Sequence, residues 1–240
     1  MLAMRRLLIS AAALLAVVAV LGLLVGHEVP QLFEVDRVVG AALRANNGDI
    51  DVLVLQVLTA PGLTAFRAVI LIPIAIVLAI RGRRRMAGFV LLAGSAVGPL
   101  TLLLKEVVGR VRPTTDDPLV MATGLSFPSG HSSGAATLSG ILLVVLWPIV
   151  ARRWRPWLIG GSILLAMCVA WTRIALGVHY LSDTVGGLAL GSAVVLLSMV
   201  VFGVAPKGIL PTHGPTGSAE RGRAPSGPHR GPPPTDSPPS

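Results

Sequence analysis

The feature that most constrains this chain is a series of six apolar segments, each about 20 residues long. The hydrocarbon core of a bilayer is about 30 Å thick, so a helix rising about 1.5 Å per residue needs that length to cross it. The segments cover residues 7–26, 62–80, 86–104, 129–150, 157–176 and 184–204. The sequence therefore predicts an all-α, polytopic membrane protein built as a bundle of six transmembrane helices.

Composition excludes the main soluble classes. Only 13% of the residues are charged and 53% are hydrophobic, whereas a soluble domain carries about 25% charged residues. A net charge of +9 would suggest nucleic acid in a soluble protein, but here the basic residues lie scattered between apolar runs. We therefore expect a membrane bilayer as partner and no nucleic acid. The single Cys168 cannot form a disulfide within the chain.

The first apolar segment has two interpretations. Arg5 and Arg6 precede it, as basic residues precede the apolar core of a signal peptide. The run is longer than the usual core of about 7–15 residues, and no clear A-x-A cleavage site follows it. We favour a retained helix, with a signal peptide as the alternative.

Charge alternates between the segments that connect the helices. Counted from the N-terminus, every second connection is basic and lacks acidic residues. The other connections hold all the acidic residues that precede the C-terminal region. Because Lys and Arg are retained on the cytoplasmic side, we expect a protein of the cytoplasmic membrane with both termini in the cytoplasm and the acidic connections outside.

Two further regions differ from the apolar segments. Residues 28–61 place Leu32, Val35 and Val39 at helical spacing among charged side chains, which predicts an outer amphipathic helix. Residues 206–240 hold 10 of the 19 prolines and few apolar residues, which predicts a disordered cytoplasmic tail. The expected organisation is a membrane domain over 1–205 followed by a tail over 206–240.

Glycines four residues apart occur in the fourth and sixth apolar segments. Gly130 and Gly134 form one pair, and Gly187 and Gly191 form the other. Small residues at this spacing allow helix backbones to approach closely, so we expect these two helices to pack together.

Three cations lie in connections predicted to face outward, where positive charge is disfavoured. Lys105 and Arg112 are seven residues apart, two turns of a continuous helix, and Arg173 lies near a later outer connection. Such cations suit a phosphoryl group, whose oxygens an arginine can bind with two hydrogen bonds. Ser129 and Gly130 begin an apolar segment, so the first N–H groups of that helix would point at an anion. Lys105 or Arg112 alone could equally be a residue snorkelling at a helix end, and Arg173 alone would be an exception to the topology rule.

Histidines in the same connections suggest acid–base and nucleophilic chemistry. His179 and Asp183 are four residues apart, so on a helix their side chains are neighbours. A carboxylate beside an imidazole fixes its tautomer and stabilises the cation that forms later. His131, in another connection, would be available to protonate a leaving oxygen. Alone, the His–Asp pair is as often structural, but its position among outward cations favours hydrolysis by phosphoryl transfer to histidine.

Three blocks in order carry a family resemblance. Lys105 is followed after six residues by Arg112-Pro113, then come Pro128-Ser129-Gly130-His131, and finally Arg173, His179 and Asp183. This pattern resembles the three-part motif of the type-2 phosphatidic acid phosphatase superfamily over about residues 62–204. One departure is Thr172, since the third block usually begins with Ser-Arg; a hydroxyl is retained, so we expect a small effect.

The resemblance implies a role for each matching residue. His179 would be the nucleophile that forms a phosphohistidine, Asp183 would orient it, and His131 would protonate the leaving group. The residues implied in phosphate binding are Lys105, Arg112, Ser129, Gly130 and Arg173. The family needs neither metal nor cofactor, and the adjacent Asp116 and Asp117 are interpreted as a solvated loop.

The resemblance implies a lipid phosphate substrate at the extracytoplasmic face of the membrane. A polyprenyl diphosphate is the first expectation, because an outward site would meet that lipid after glycan transfer. Phosphatidate or phosphatidylglycerol phosphate is the alternative, and a lipid phosphotransferase of the same superfamily also fits. A non-enzymatic lipid-phosphate carrier would explain the cations but neither histidine, and a purely structural membrane protein would explain only the helices.

Overall fold

The computed structural model describes residues 2–44, 49–113 and 119–204. Within these ranges every regular element is helical, so the predicted all-α class is confirmed. The α-helices are α1 (Leu2–Gly26), α2 (Pro30–Leu43), α3 (Asp49–Thr59), α4 (Thr64–Ile80), α5 (Arg84–Val108), α6 (Gly130–Leu146), α7 (Arg155–Ala175) and α8 (Leu181–Phe202). Short 3₁₀ turns, Ala60–Gly62 and Arg152–Trp154, precede α4 and α7.

Four helices in the described ranges are long and apolar enough to cross a membrane: α1, α5, α7 with its preceding turn, and α8. A fifth span is formed if α3 and α4, which meet at a 43° bend, are taken together. Helix α6 has 17 residues, or about 26 Å, which is shorter than the bilayer core. It is shorter than the apolar segment because Ser129 caps its start and Pro148 follows its end. The six-span count remains a prediction.

Helix α8 lies at the centre of the fold and packs against α1, α5, α6 and α7. Its contact with α6 is close at Gly187, where an added Cβ would lie 2.5 Å from the carbonyl oxygen of Ser129. Gly191 meets the backbone of Ser133 in the same way. The predicted approach of these two helices is confirmed for this glycine pair. Gly134, from the other pair, instead faces Arg67 of α4.

The segment predicted as one outer amphipathic helix forms α2 and α3 on either side of residues 45–48, which lie outside the described part. The apolar stripe of α2 is only partly packed, because Val35 is 50% and Leu43 is 39% exposed while Leu32 and Val39 are half-buried. The one buried residue of α2 is Asp36, at 1% exposure. A carboxylate is buried at such cost only when charges and donors pair it, so polar contacts of Asp36 help to hold α2 in place.

Several predictions fall on residues that the structure does not describe. The tail over 206–240 and the loop carboxylates Asp116 and Asp117 lie outside the described residues. The predictions made for them therefore stay predictions.

Candidate active site

The candidate site is built around Asp183, which lies in the first turn of α8 and is fully buried. Its Oδ1 accepts a hydrogen bond from Nη1 of Arg110 at 2.8 Å. Its Oδ2 lies 3.2 Å from Nδ1 of His179 and accepts the backbone N–H of Tyr180 at 3.0 Å. The Ser126 hydroxyl also donates to Oδ2. Four donors thus surround this carboxylate, which is how a buried anion is stabilised.

His179 is oriented by this carboxylate, so the predicted pairing of the two residues is confirmed. The pair does not lie within one helix as expected, because α8 begins only at Leu181. The contact with Asp183 places the proton on Nδ1 and leaves the lone pair on Nε2. That Nε2 lies 3.0 Å from Nη1 of Arg112. Burial lowers the pKa of His179 to about 4, although Asp183 opposes the shift, so the ring is neutral at pH 7.

Lys105 and Arg112 do converge on this region, but not because they share a helix face. Helix α5 ends at Val108, and Gly109 follows in the left-handed region at φ 71°. A glycine at this position terminates a helix, so Arg112 lies in the loop beyond it. The expectation of two continuous helical turns between the cations is therefore wrong.

Lys105 and Arg112 both donate to backbone carbonyl groups of the loop that precedes α6, and they hold this loop at the site. Arg112 donates from Nε to the carbonyl of Gly124 at 3.0 Å and from Nη1 to the carbonyl of Val178 at 2.8 Å. Lys105 donates from Nζ to the carbonyl of Ser126 at 3.1 Å. Burial lowers the pKa of the Arg112 guanidinium, and the nearby Asp183 charge opposes that shift. The first block of the motif thus positions Ser126 beside the carboxylate.

The second block joins the same cluster through its backbone. The N–H of Ser129 donates to the carbonyl oxygen of Asp183 at 2.9 Å. The Ser129 side chain is fully buried and caps α6, because its Oγ accepts from the N–H of Ser132 at 3.4 Å and from the Ser132 hydroxyl at 3.1 Å. The Ser129 hydroxyl therefore acts as a helix cap, and phosphate binding at Ser129 stays a prediction. Gly130, the first residue of α6, remains partly exposed.

His131 lies one residue further along α6 and is brought close to the other site groups. Its backbone and Cβ pack on Gly62, where an added Cβ would lie 2.8 Å from that of His131. The charges of Arg173, Arg112 and Arg67 act on its ring. The structure therefore brings residues of all three blocks to one end of the helices.

Arg173 is 7% exposed near the end of α7. Its Nη1 donates to the hydroxyl of Thr59 at 3.3 Å, while its Nε has no hydrogen-bond partner within the described ranges. A buried guanidinium with donors to spare is suited to receive an anion.

Sequence reasoning missed two residues that complete the carboxylate cluster. Arg110 is 6% exposed and bridges Asp183 to Asp36, whose Oδ2 lies 2.7 Å from Nη2 of Arg110. One signal was present, since Arg110 shares the outward basic run with Lys105 and Arg112. The pairing itself joins positions 74 residues apart, and nothing in local spacing indicates it.

Arg67 was also missed, although an ionisable residue inside an apolar segment is a signal in itself. It is 3% exposed in α4. Its Nη1 donates to the carbonyl of Gly62 at 2.7 Å and its Nη2 to the hydroxyl of Thr64 at 3.3 Å. The same guanidinium packs against Gly134. Arg67 therefore supports the turn on which His131 rests.

A cavity of about 700 Å³ opens beside this cluster, lined by α2 and by the segment that connects α7 to α8. His179, Tyr180 and Pro113 border it on one side, and Arg37 and Arg44 border it on the other. Within the described ranges no three His, Cys, Asp or Glu side chains form a metal-binding group.

The chain is thus a membrane protein whose apolar helices carry a buried histidine–aspartate pair faced by arginines. The family model of the PAP2 superfamily matches residues 85–206, just over half of the chain. The chain belongs to the PAP2 superfamily. The matched range contains all three sequence blocks, whereas Asp36 and Arg67 lie outside it.

Comparisons with individual proteins agree with this family. The chain is 39% identical to phosphatidylglycerophosphatase B of Bacillus subtilis over 108 residues, which are 43% of this chain and 50% of that protein. It is 30% identical to undecaprenyl-diphosphatase of Sulfolobus acidocaldarius over 166 residues, 63% of this chain and 75% of that protein. The chain thus spans half the length of the Bacillus relative that it matches.

A solved structure shares the fold. The crystal structure of a transmembrane PAP2-type phosphatidylglycerolphosphate phosphatase from Bacillus subtilis superposes with a TM-score of 0.70 at 24% identity. The match covers 79% of this chain and 94% of that one. With its own apolar helices, this likeness identifies the chain as a multi-pass membrane protein.

Proposed function

We propose that this protein is a metal-independent lipid phosphatase that works through a phosphohistidine on His179. The observation that supports the proposal is that both ring nitrogens of one buried imidazole are in contact with charged side chains. Asp183 lies 3.2 Å from Nδ1 and Arg112 lies 3.0 Å from Nε2. Burial keeps the ring neutral, and the two contacts fix one tautomer and direct the Nε2 lone pair at a cation that can bring in a phosphoryl group.

In the first step the Nε2 lone pair forms a bond to phosphorus and the bond to the leaving oxygen breaks. His131, which takes up a proton when the phosphate anion enters among the guanidinium groups, gives that proton to the leaving oxygen. Arg112 turns from Nε2 to the phosphoryl oxygens, which are stronger acceptors, and Arg173 and Lys105 share the charge that develops on them. Asp183 stabilises the positive charge that forms on the imidazole.

In the second step a water oxygen attacks the phosphorus of the phosphohistidine. The N–P bond breaks and its electron pair returns to Nε2. His131, now neutral, takes a proton from the attacking water and is ready for the next cycle. Phosphate leaves with its oxygens still facing the arginines.

For the topology, we propose six spans in a domain over residues 1–205, with both termini in the cytoplasm and the site outside. The basic connections at the end opposite the site support this orientation. The acyl or prenyl chain of the substrate would stay in the bilayer while its head group reaches the cations at the helix ends.

Two substrates are supported by different observations. Polyprenyl diphosphate is the first choice, because the relative named for that activity matches 63% of this chain. Phosphatidylglycerol phosphate is the second, because the relative named for it has the higher identity, 39%, over a shorter match.

The experiment measures phosphate release from both lipids by detergent-purified protein in EDTA, beside the His179→Ala variant. Wild type should release phosphate from at least one lipid, and the variant should lose more than about 1,000-fold in kcat. His27→Ala is the matched control, since His27 is an exposed histidine outside the site.

The covalent step is measured separately by quenching the reaction with ³²P-labelled substrate in alkaline detergent, which preserves an acid-labile phosphohistidine. Label that is stable to base, labile to acid and absent from His179→Ala would identify the phosphohistidine. Binding of both lipids without release from either would favour the carrier instead. Full activity in His179→Ala would exclude the assigned nucleophile.

A further inference from the structure

Arg110 is shared between two buried carboxylates from distant parts of the chain. Its Nη1 donates to Oδ1 of Asp183 at 2.8 Å, and its Nη2 donates to Oδ2 of Asp36 at 2.7 Å. The side chains of Arg110, Asp183 and Asp36 are 4%, 0% and 1% exposed. This chain of contacts runs from α2 to the carboxylate that faces His179.

The Asp36 carboxylate is fixed from a second side by Ser182. Its Oδ1 accepts the backbone N–H of Ser182 at 2.9 Å, and its Oδ2 accepts the Ser182 hydroxyl at 2.6 Å. The same hydroxyl accepts a hydrogen bond from Nη1 of Arg110 at 2.7 Å. Asp36 is therefore bonded both to the start of α8 and to the guanidinium that holds Asp183.

Aromatic rings complete the hold on Arg110. The carbon of its guanidinium lies 3.9 Å from the centre of the Tyr180 ring and 4.8 Å from the centre of the Phe33 ring. Stacking of this kind restricts the tilt of the planar group. Phe33 and Asp36 both lie on α2, so this helix supplies a ring contact and the second charge.

Because of this arrangement, the two oxygens of the Asp183 carboxylate have different partners. Arg110 occupies Oδ1, which leaves Oδ2 for His179, the Tyr180 N–H and the Ser126 hydroxyl. Without Asp36 the guanidinium would keep a single anionic partner and could swing toward both oxygens of Asp183. The His179 ring would then lose the acceptor that sets its tautomer and direction.

We propose that Asp36 is a positioning residue for the reaction at His179. It acts through Arg110, which holds the Asp183 carboxylate, and α2 therefore contributes to the active site. This proposal rests on the proposed phosphohistidine function. It extends the machinery beyond residues 85–206, the range of the family match. Positional errors of about 1 Å at such a nucleophile cost on the order of 100-fold in rate.

The test compares Asp36→Asn with Glu34→Gln, a matched neutralisation on the same helix. Glu34 is 59% exposed and pairs only with Arg37 among the described residues. We expect Asp36→Asn to lower kcat and the rate of phosphohistidine labelling by about 10- to 100-fold, with KM changed less than threefold. Glu34→Gln should retain wild-type values of both.

A double-mutant cycle shows whether Asp36 acts through Arg110. In an Arg110→Gln background, Asp36→Asn should lower kcat by less than twofold further, because the link is already cut. Asp36→Glu keeps the charge and should recover part of the rate. Additive losses in the cycle would overturn the proposed route through Arg110.

A structural role is separated by measuring folded protein. Rates are referred to the monodisperse fraction in size-exclusion chromatography, with the melting temperature taken on the same samples. A lower melting temperature with wild-type kcat in both Asp36→Asn and Asp36→Glu would overturn the proposal. Phosphate release without label on His179 in the wild type would instead contradict the proposed mechanism itself, so the two failures are distinguishable.

Discussion

The two ends of the helices both carry arginines, but in opposite environments. At the site end Arg67, Arg110 and Arg173 are 3%, 6% and 7% exposed, and each donates to an oxygen within the protein. At the other end the arginines around the α4–α5 turn are exposed. No carboxylate of the described residues lies within 4 Å of these exposed side chains, Arg81, Arg83, Arg84 and Arg85.

The arginines at the opposite end border open space rather than a packed cluster. A cavity of about 750 Å³ lies there, lined by the start of α5 and the ends of α6 and α8. Arg155 lies 4.7 Å from the centre of the Trp147 ring at its edge. A cation that stays in water loses little hydration free energy, and the total number of such cations in a connection determines which side of the membrane that connection occupies. A buried cation is stable only where individual partners offset its desolvation penalty. We therefore expect activity to depend on the buried arginines at the site end and not on the exposed arginines at the other end.

The largest contrast is expected from neutralising one arginine at each end. Arg173→Gln removes a buried cation with unused donors and should lower kcat/KM by about 100- to 1,000-fold, as loss of one stabilising donor does. Arg84→Gln should change kcat/KM by less than twofold. Phosphate release from the same lipid in EDTA measures both. Equal losses of kcat/KM in the two variants would show that the arginines at the two ends contribute equally to activity.

Burial at the site end also predicts an unusual titration. Because burial lowers the pKa of His179 from 6.5 to about 4, its ring should stay neutral as the pH falls and take up a proton only near pH 4. Histidine-selective NMR of the substrate-free protein measures this, with His179→Gln assigning the signal. A midpoint near 6.5, the value of a histidine in water, would show that the ring is solvated.

The smallest effect tests packing rather than charge. Gly187→Ala would place a Cβ 2.5 Å from the Ser129 carbonyl, and such overpacking costs about 1–3 kcal/mol of stability. Gly160→Ala is the matched control, since no atom outside its own helix lies within 4 Å of the added Cβ. Thermal unfolding in detergent should show a lower melting temperature only for Gly187→Ala. Equal melting temperatures of the two variants would show that α6 and α8 can move apart enough to accept the added methyl group without loss of stability.

Much of the site was predictable because its chemistry is carried by short-range spacing. His179 and Asp183 are close in sequence, and their contact forms although α8 starts between them. Lys105 and Arg112 were predicted together for a reason that the structure contradicts, since Gly109 ends α5 between them. Both cations still reach the site because they bind the carbonyl groups of Ser126 and Val178, which no helical periodicity indicates.

The order of residues was enough to establish the all-helical membrane class, the charge difference between the connections and the family motif. These properties are local, because apolar length, loop charge and short spacings are read along the chain. The role of α2 was not readable in this way. Its apolar stripe predicts one packing face, yet its fully buried residue is Asp36, which binds Ser182, 146 positions away in the sequence. A buried carboxylate is stable only where several distant donors converge on it, and that convergence exists only once the helices have packed.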